Sequence, residues 1–196
     1  MSSYDLIVVG SGPGGYVTAI RGSQLGLKTA IVEKADLGGV CLNWGCIPTK
    51  ALLRSAEVYH NMQHAADYGL SATPSFDLQK YVQHSRKIAG QLSGGIKHLM
   101  KKNKVDVISG FATLKAGGDA PIVSVEGKDY TAKNVILASG ARARTIPQAG
   151  LAPDGKYIWT AREAWCLIAC LSACSSLDLV RLGWNLPAFT MPSGLM

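Results

Sequence analysis

The 196 residues suffice for one large domain or two small ones, and a hydrophobic content of 47% supplies an ordinary core. The formal net charge of +7 is spread thinly; its densest run, Lys97 to Lys104, has no interleaved aromatics and reads as the solvated end of a helix, which argues against a nucleic-acid binder. The polar start Met1-Ser-Ser-Tyr-Asp5 shows no secretory or mitochondrial pattern, so the expected compartment is the cytoplasm, where a disulfide is catalytic or transient.

Tyr4 to Val9 is a short apolar run rich in β-branched residues, suited to a parallel strand buried on both faces. Gly10-Ser-Gly-Pro-Gly-Gly15 follows at once, then a helix-compatible stretch from Tyr16 to Leu25. A second strand from Lys28 to Val32 ends at Glu33. A lone G-x-G-x-x-G is weak evidence. Between a strand and a helix, with an acidic residue 21 positions after Gly12, it marks a dinucleotide-binding unit. Gly10 permits the tight turn, Gly12 lets the main chain approach a pyrophosphate, and Gly15 lets helix and strand pack closely, while the helix N-terminus faces the phosphates. Glu33 is placed to accept hydrogen bonds from ribose hydroxyls; a solvated strand-end carboxylate is the plainer alternative.

Four residues separate Cys41 from Cys46, with Gly38 and Gly39 before them, Gly45 between, and Pro48 and Lys50 after. Bridging them requires a sharp turn, because the two Cα atoms must come within roughly 4.4–6.8 Å. A ring this small is a poor structural staple. The pair therefore reads as redox-active or, alternatively, as two buried thiols at the start of a helix. From Ile47 the chain is expected to be helical, with Ala51, Leu52, Ser55, Ala56 and Tyr59 near helical spacing and Pro48 tolerated in the first turn. The cysteines then lie at or just before a helix N-terminus, where the backbone dipole favours a thiolate. Lys50, one turn in, either adds positive charge there or is a surface lysine.

Gly69 to Pro74 reads as a connection, and Asp77 as the cap of a long helix reaching about Lys102. Its buried stripe is expected at Ile88, Leu92, Ile96 and Leu99, weakened by Gly90, Gly94 and Gly95. Val105–Thr113, Ile122–Glu126 and Tyr130–Thr131 read as short strands, with turns at Gly117–Asp119 and Glu126–Lys128. Asn134 to Ala138 is another buried strand. The Ser139-Gly140-Ala141 turn after it again lets backbone approach a ligand.

The run Gly39-Val-Cys41-Leu-Asn-Trp-Gly-Cys46-Ile-Pro-Thr-Lys50 resembles the redox-disulfide signature of the FAD-dependent pyridine nucleotide–disulfide oxidoreductases, and its wording is most similar to the dihydrolipoyl dehydrogenase branch. The resemblance covers residues 4 to about 164. It implies an α/β fold: a Rossmann-like FAD-binding domain with a parallel sheet plus a small antiparallel β-meander, incomplete relative to the family. It further implies that Cys41 exchanges with the dithiol substrate, that Cys46 forms the charge-transfer thiolate, and that Lys50 lies beside the flavin N5. Gly10, Gly12, Gly15, Glu33, Ala112, Ser139 and Gly140 would line FAD, with Pro13, Gly14, Lys34, Gly39, Val40 and Ala138 as their neighbours. Electrons would pass from dihydrolipoamide on a lipoyl domain through the disulfide and FAD to NAD⁺, in the homodimeric third component of 2-oxo acid dehydrogenase complexes. Neither a membrane nor a metal is implied. Glutathione and mercuric reductases are related alternatives that usually differ between and after the cysteines. A non-catalytic truncated product is another, and the chain as written is expected to be a truncated fragment with little or no NAD-linked lipoamide turnover.

The family continues with an NAD-binding unit, a return segment and an interface domain that supplies a His–Glu base, and none of these is recognisable here. Beyond Ala164 the character changes. Cys166, Cys170 and Cys174 at four-residue spacing invite a metal reading, while the apolar run is short and serine-rich for a membrane span. The genetic code offers a third reading. Shifted by one base, Trp184-Asn185 must encode Glu, and permitted codons turn Asp178–Asn185 into Gly-Ser-Gly-Ala-Ile-Gly-Val-Glu, a second dinucleotide motif. Residues 1–164 are thus expected to be a partial FAD domain, and 165–196 a frameshifted tail.

Overall fold

The computed structural model describes residues 2–118, 120–164 and 166, and its framework grows from strand β1 (Ser2–Val9). Ile7 and Val8 of this strand are wholly buried, as a strand covered on both faces requires. Helix α1 (Pro13–Gln24) leads to β2 (Thr29–Glu33), which lies parallel to β1. After β2 come α2 (Gly39–Trp44), α3 (Cys46–Gln63) and α4 (Leu78–Lys102). Strands β3 (Asp106–Ser109), β4 (Ala112–Lys115), β5 (Ile122–Val125) and β6 (Lys128–Leu137) complete the sheet. The strand order is β3-β2-β1-β6-β5-β4; the first four are parallel and the last two pair antiparallel. The α/β class with a parallel sheet and an antiparallel meander is the one expected.

The described residues divide into two units, one formed by the chain up to Ile47 together with Ala89–Arg144, the other by Pro48–Ile88 together with the described residues from Thr145 onward. In the first, the period-2 alternation of β1 sends side chains to two separate clusters. Leu6, Val8 and Ile31 join Ala19 of α1, Leu42 of α2, Ile96 and Met100 of α4, and Val105. Tyr4, Ile7, Ala30 and Val32 join Val123 and Val125 of β5 and Ala132 of β6. Each large apolar side chain removed from water contributes about 1.5–3 kcal/mol. In the second unit Leu52 of α3 is fully buried, and its carbonyl accepts a 2.8 Å hydrogen bond from the Tyr81 hydroxyl. Burial pushes the Tyr81 phenol up to about 12. Phe76 packs against both Tyr59 and Tyr81, with ring centroids 6.0 and 5.1 Å away.

Several sequence expectations are corrected. Val105–Thr113 is two strands, because Gly110 takes φ +140° and breaks the run; β3 extends the parallel sheet and β4 turns into the meander. Tyr130–Thr131 and Asn134–Ala138 merge into the single strand β6, whose N-terminal half pairs with β5 while most of its length pairs with β1. On α4, Leu92 and Leu99 are exposed at 43% and 37%, and the buried residues are Ser85, Ala89, Ile96 and Met100. The short helix α2 is an addition to the elements expected. Asp77 does cap α4, its carboxylate accepting from the Lys80 amide at 3.0 Å. Asp119 of the predicted turn, Cys170, Cys174 and all of the tail except Cys166 lie outside the described residues. Among the described residues, no helix is long and apolar enough to cross a membrane, and no group of three or more His, Cys, Asp or Glu could hold a metal.

Candidate active site

Parallel strands present their carboxyl ends in one row. Gly10 follows β1, Glu33 closes β2, Gly110 follows β3, and Ala138, Ser139 and Gly140 follow β6, with Val9 in register with both Val32 and Leu137. Because β1 has β2 on one side and β6 on the other, the chain order reverses there, the crevice where open α/β sheets bind ligands. Gly10 takes φ +101°, and a Cβ on it would stand 2.2 Å from the Ala138 carbonyl oxygen. A Cβ on Gly15 would stand 1.8 Å from the Gly10 oxygen. Both glycines are demanded by the chain's own packing. Gly12 and Gly14 are not: a Cβ on Gly12 would meet nothing nearer than Gly39 Cα at 4.0 Å, and one on Gly14 nothing within 4 Å. Space for a phosphate at the N-terminus of α1 would account for glycine at both, and α1 begins with Pro13 and carries no acidic residue in its first turn. The cradle fits a dinucleotide such as FAD.

Glu33 is held rather than solvated. Its Oε2 accepts from the Ser11 amide at 2.9 Å and the Ser11 hydroxyl at 2.7 Å, and its Oε1 accepts from the amides of Lys34 at 2.9 Å and Ala35 at 3.0 Å. Burial acts against the charge, but the Ser11 hydroxyl and these three amides outweigh it and hold the carboxyl below its ordinary range. The Glu33 carbonyl in turn accepts from Gly110 N at 2.9 Å, tying the end of β3 to the end of β2. The next residues, Phe111 and Ala112, are thereby brought to this edge, where Lys34 Nζ stands 5.3 Å from the Phe111 ring centre.

The cysteines are placed by glycine turns. Gly38 and Gly39 take φ +101° and +65°, which carries the chain into α2. A Cβ on Gly39 would stand 2.5 Å from Gly12 Cα, and Gly38 N donates to Ser11 O at 3.0 Å, so α2 starts directly against the glycine-rich turn. The Leu37 carbonyl accepts from Asn43 Nδ2 and Ser93 Oγ, each at 3.0 Å, and Asn43 Nδ2 also reaches Gly39 O at 3.0 Å. Gly45 (φ −139°, ψ −113°) separates α2 from α3. The fold of the chain at that break brings Cys41 Sγ and Cys46 Sγ to 2.6 Å. Cys41 is half-buried and Cys46, the first residue of α3, is exposed, which corrects the reading of two buried thiols. Val40 is exposed beside them. Lys50, also exposed, is four residues further along α3 and belongs to the second unit.

The structure thus gathers Gly10, Gly12, Gly15, Glu33, Gly39, Ala138 and the cysteine pair in one unit. It adds three residues that sequence reasoning passed over. Ser11 and Asn43 stand between the glycines and cysteines that define the two motifs, and only their burial, at 0% and 7% exposure, betrays them. Ser93 lies 56 residues from its partner, and no local signal could have found it.

The family model described as pyridine nucleotide-disulphide oxidoreductase matches residues 4–169. The dihydrolipoyl dehydrogenase of Zymomonas mobilis subsp. mobilis is 54% identical over 164 residues, covering 82% of this chain and 35% of its own length. That of Rhizobium etli is 52% identical over 180 residues, covering 83% and 37%. The crystal structure of LpdA from Mycobacterium tuberculosis superposes with a TM-score of 0.75 at 23% identity, over 86% of this chain and 38% of that one, and shares the fold. The chain therefore spans about 35% of the length of the curated relatives it matches. With a glycine cradle at the sheet edge and a cysteine pair packed against it, the chain belongs to the pyridine nucleotide-disulphide oxidoreductase family.

Proposed function

We propose that this chain is the FAD-binding and disulfide-bearing part of a dihydrolipoyl dehydrogenase, which oxidises dihydrolipoamide to lipoamide and reduces NAD⁺ to NADH. The observation that carries the reading is the 2.6 Å approach of the Cys41 and Cys46 sulfurs at a junction that abuts the dinucleotide cradle. In the oxidised pair, a substrate thiolate attacks Cys41 Sγ; a mixed disulfide forms and Cys46 leaves as a thiolate. The second substrate thiolate then attacks the substrate sulfur of that mixed disulfide. This closes the lipoamide ring and releases Cys41, so two electrons rest on the protein dithiol. FAD, when bound, supplies the two-electron relay between that dithiol and NAD⁺. The chain's own residues would hold it: the N-terminus of α1 the diphosphate, Glu33 the ribose, and the Ala112 and Ala138–Gly140 backbones the remaining edge, while the family resemblance alone assigns Lys50 to the flavin.

By the family resemblance dihydrolipoamide on a lipoyl domain is the donor and the working unit a homodimer, and the compartment proposed from the N-terminal sequence is the cytoplasm. Residues 165–196 are a frame-shifted continuation on this reading, and one that a long open frame one base away in the nucleotide sequence would support. The central test is direct. Dihydrolipoamide should raise the titratable thiols of the oxidised protein by two, and Cys41→Ser or Cys46→Ser should abolish that gain. An undiminished gain of thiols in either variant, or reduction by glutathione but not by dihydrolipoamide, would sink it.

A further inference from the structure

We propose that the Ser11 hydroxyl is an exchangeable donor on Glu33 that gives way to a ribose hydroxyl when a dinucleotide binds, so that Ser11 sets how strongly the site discriminates ribose from a deoxygenated sugar. The inference rests on the dinucleotide reading above. A carboxylate offers about four lone-pair sites. Glu33 already accepts four hydrogen bonds, two on each oxygen. Ribose adds a further pair of donors, and something must yield.

Three of the four donors are backbone amides. The Ser11 amide belongs to the turn between β1 and α1, which the Gly10–Ala138 and Gly15–Gly10 contacts leave no room to shift. The Ser11 carbonyl is pinned as well, because it accepts from Gly38 N at 3.0 Å. The amides of Lys34 and Ala35 belong to the strand end that Gly110 N also grips. Only the Ser11 hydroxyl can leave by rotation about a single side-chain bond. It is also the one group of the four that can both donate and accept, so it can turn from competing with the ribose to bonding with it. Ser11 is completely buried, so no water competes for Glu33 from that side chain's position. Its hydroxyl bond to a charged acceptor is among the stronger kinds, and breaking it lowers affinity for the sugar.

The sign of one substitution decides the matter. Removing the competitor by Ser11→Ala should tighten ADP binding by about 10- to 100-fold, the effect of one hydrogen bond to a charged group. Binding of 2′,3′-dideoxy-ADP should hardly change, so the ADP-to-dideoxy-ADP ratio rises. Both are measured by titration calorimetry on the purified chain, with FAD as a second probe. A weaker or unchanged ratio in Ser11→Ala, with wild-type ADP binding intact, overturns the exchange and leaves the dinucleotide reading standing. Failure of the wild type to bind either ADP or FAD overturns both. Should Ser11→Ala not fold, a crystal structure of the wild type with ADP decides: the exchange requires Ser11 Oγ beyond hydrogen-bond distance of Glu33, and an intact bond overturns it.

Discussion

At the scale of single residues, Glu33 couples the cradle to acid. Its folded pKa lies below the ordinary value of 4.5, so its contribution to stability is complete above that value and is lost as pH falls through the lower, folded one. Glu33→Gln should therefore show a stability deficit in urea that is constant from neutrality to about pH 5 and narrows below about pH 4; a deficit that widens in acid would contradict the assignment. The glycines separate in the same way. Gly15→Ala forces a Cβ into the Gly10 carbonyl and should abolish folding or FAD retention outright. Gly12→Ala meets no protein atom closer than 4.0 Å, so it should cost no more than about 1 kcal/mol of stability in thermal melts. Its FAD affinity should nevertheless fall at least about tenfold, the worth of a backbone contact to the phosphates. The motif glycines and Glu33 were legible because their spacing states a backbone need. Ser11 and Asn43 were not, since a single side-chain hydrogen bond leaves no periodic trace.

At the scale of elements, the helices illustrate where patterning is ambiguous. On α4 the residues Ile88, Leu92, Ile96 and Leu99 satisfy helical spacing as well as the observed Ala89, Ile96 and Met100 do, and only the tertiary partner decides between them. Met100, at 1% exposure in the cluster with Leu6 and Val8, should lose about 2–5 kcal/mol on Met100→Ala. Leu92→Ala, at 43% exposure, should lose far less, and equal losses in chemical denaturation would restore the expected stripe. The strands followed the reverse pattern. β1 and β2 were readable because burial on both faces yields unbroken apolar runs. The division of β3 from β4 hinged on Gly110, whose positive φ shows no mark in a sequence already rich in glycine.

At the scale of the whole molecule, the βαβ unit, the class of fold and the family were legible, while the strand order was not. Nothing local announces that β6 lies beside β1, or that the cysteine helices are inserted between β2 and β3. That order has a consequence in time. Within this sheet β1 is made before its neighbours, and one of them, β2, follows soon afterwards. Its other neighbour, β6, ends only at Leu137. At roughly 5–20 residues per second, translation from Val9 to Leu137 takes about 6–26 s. For that interval a strand with two wholly buried residues near its carboxyl end carries an open hydrogen-bonding edge. The nascent chain therefore carries β1 with one edge unpaired until β6 is made, and the strand that leads into the glycine turn is open to misassociation for that time.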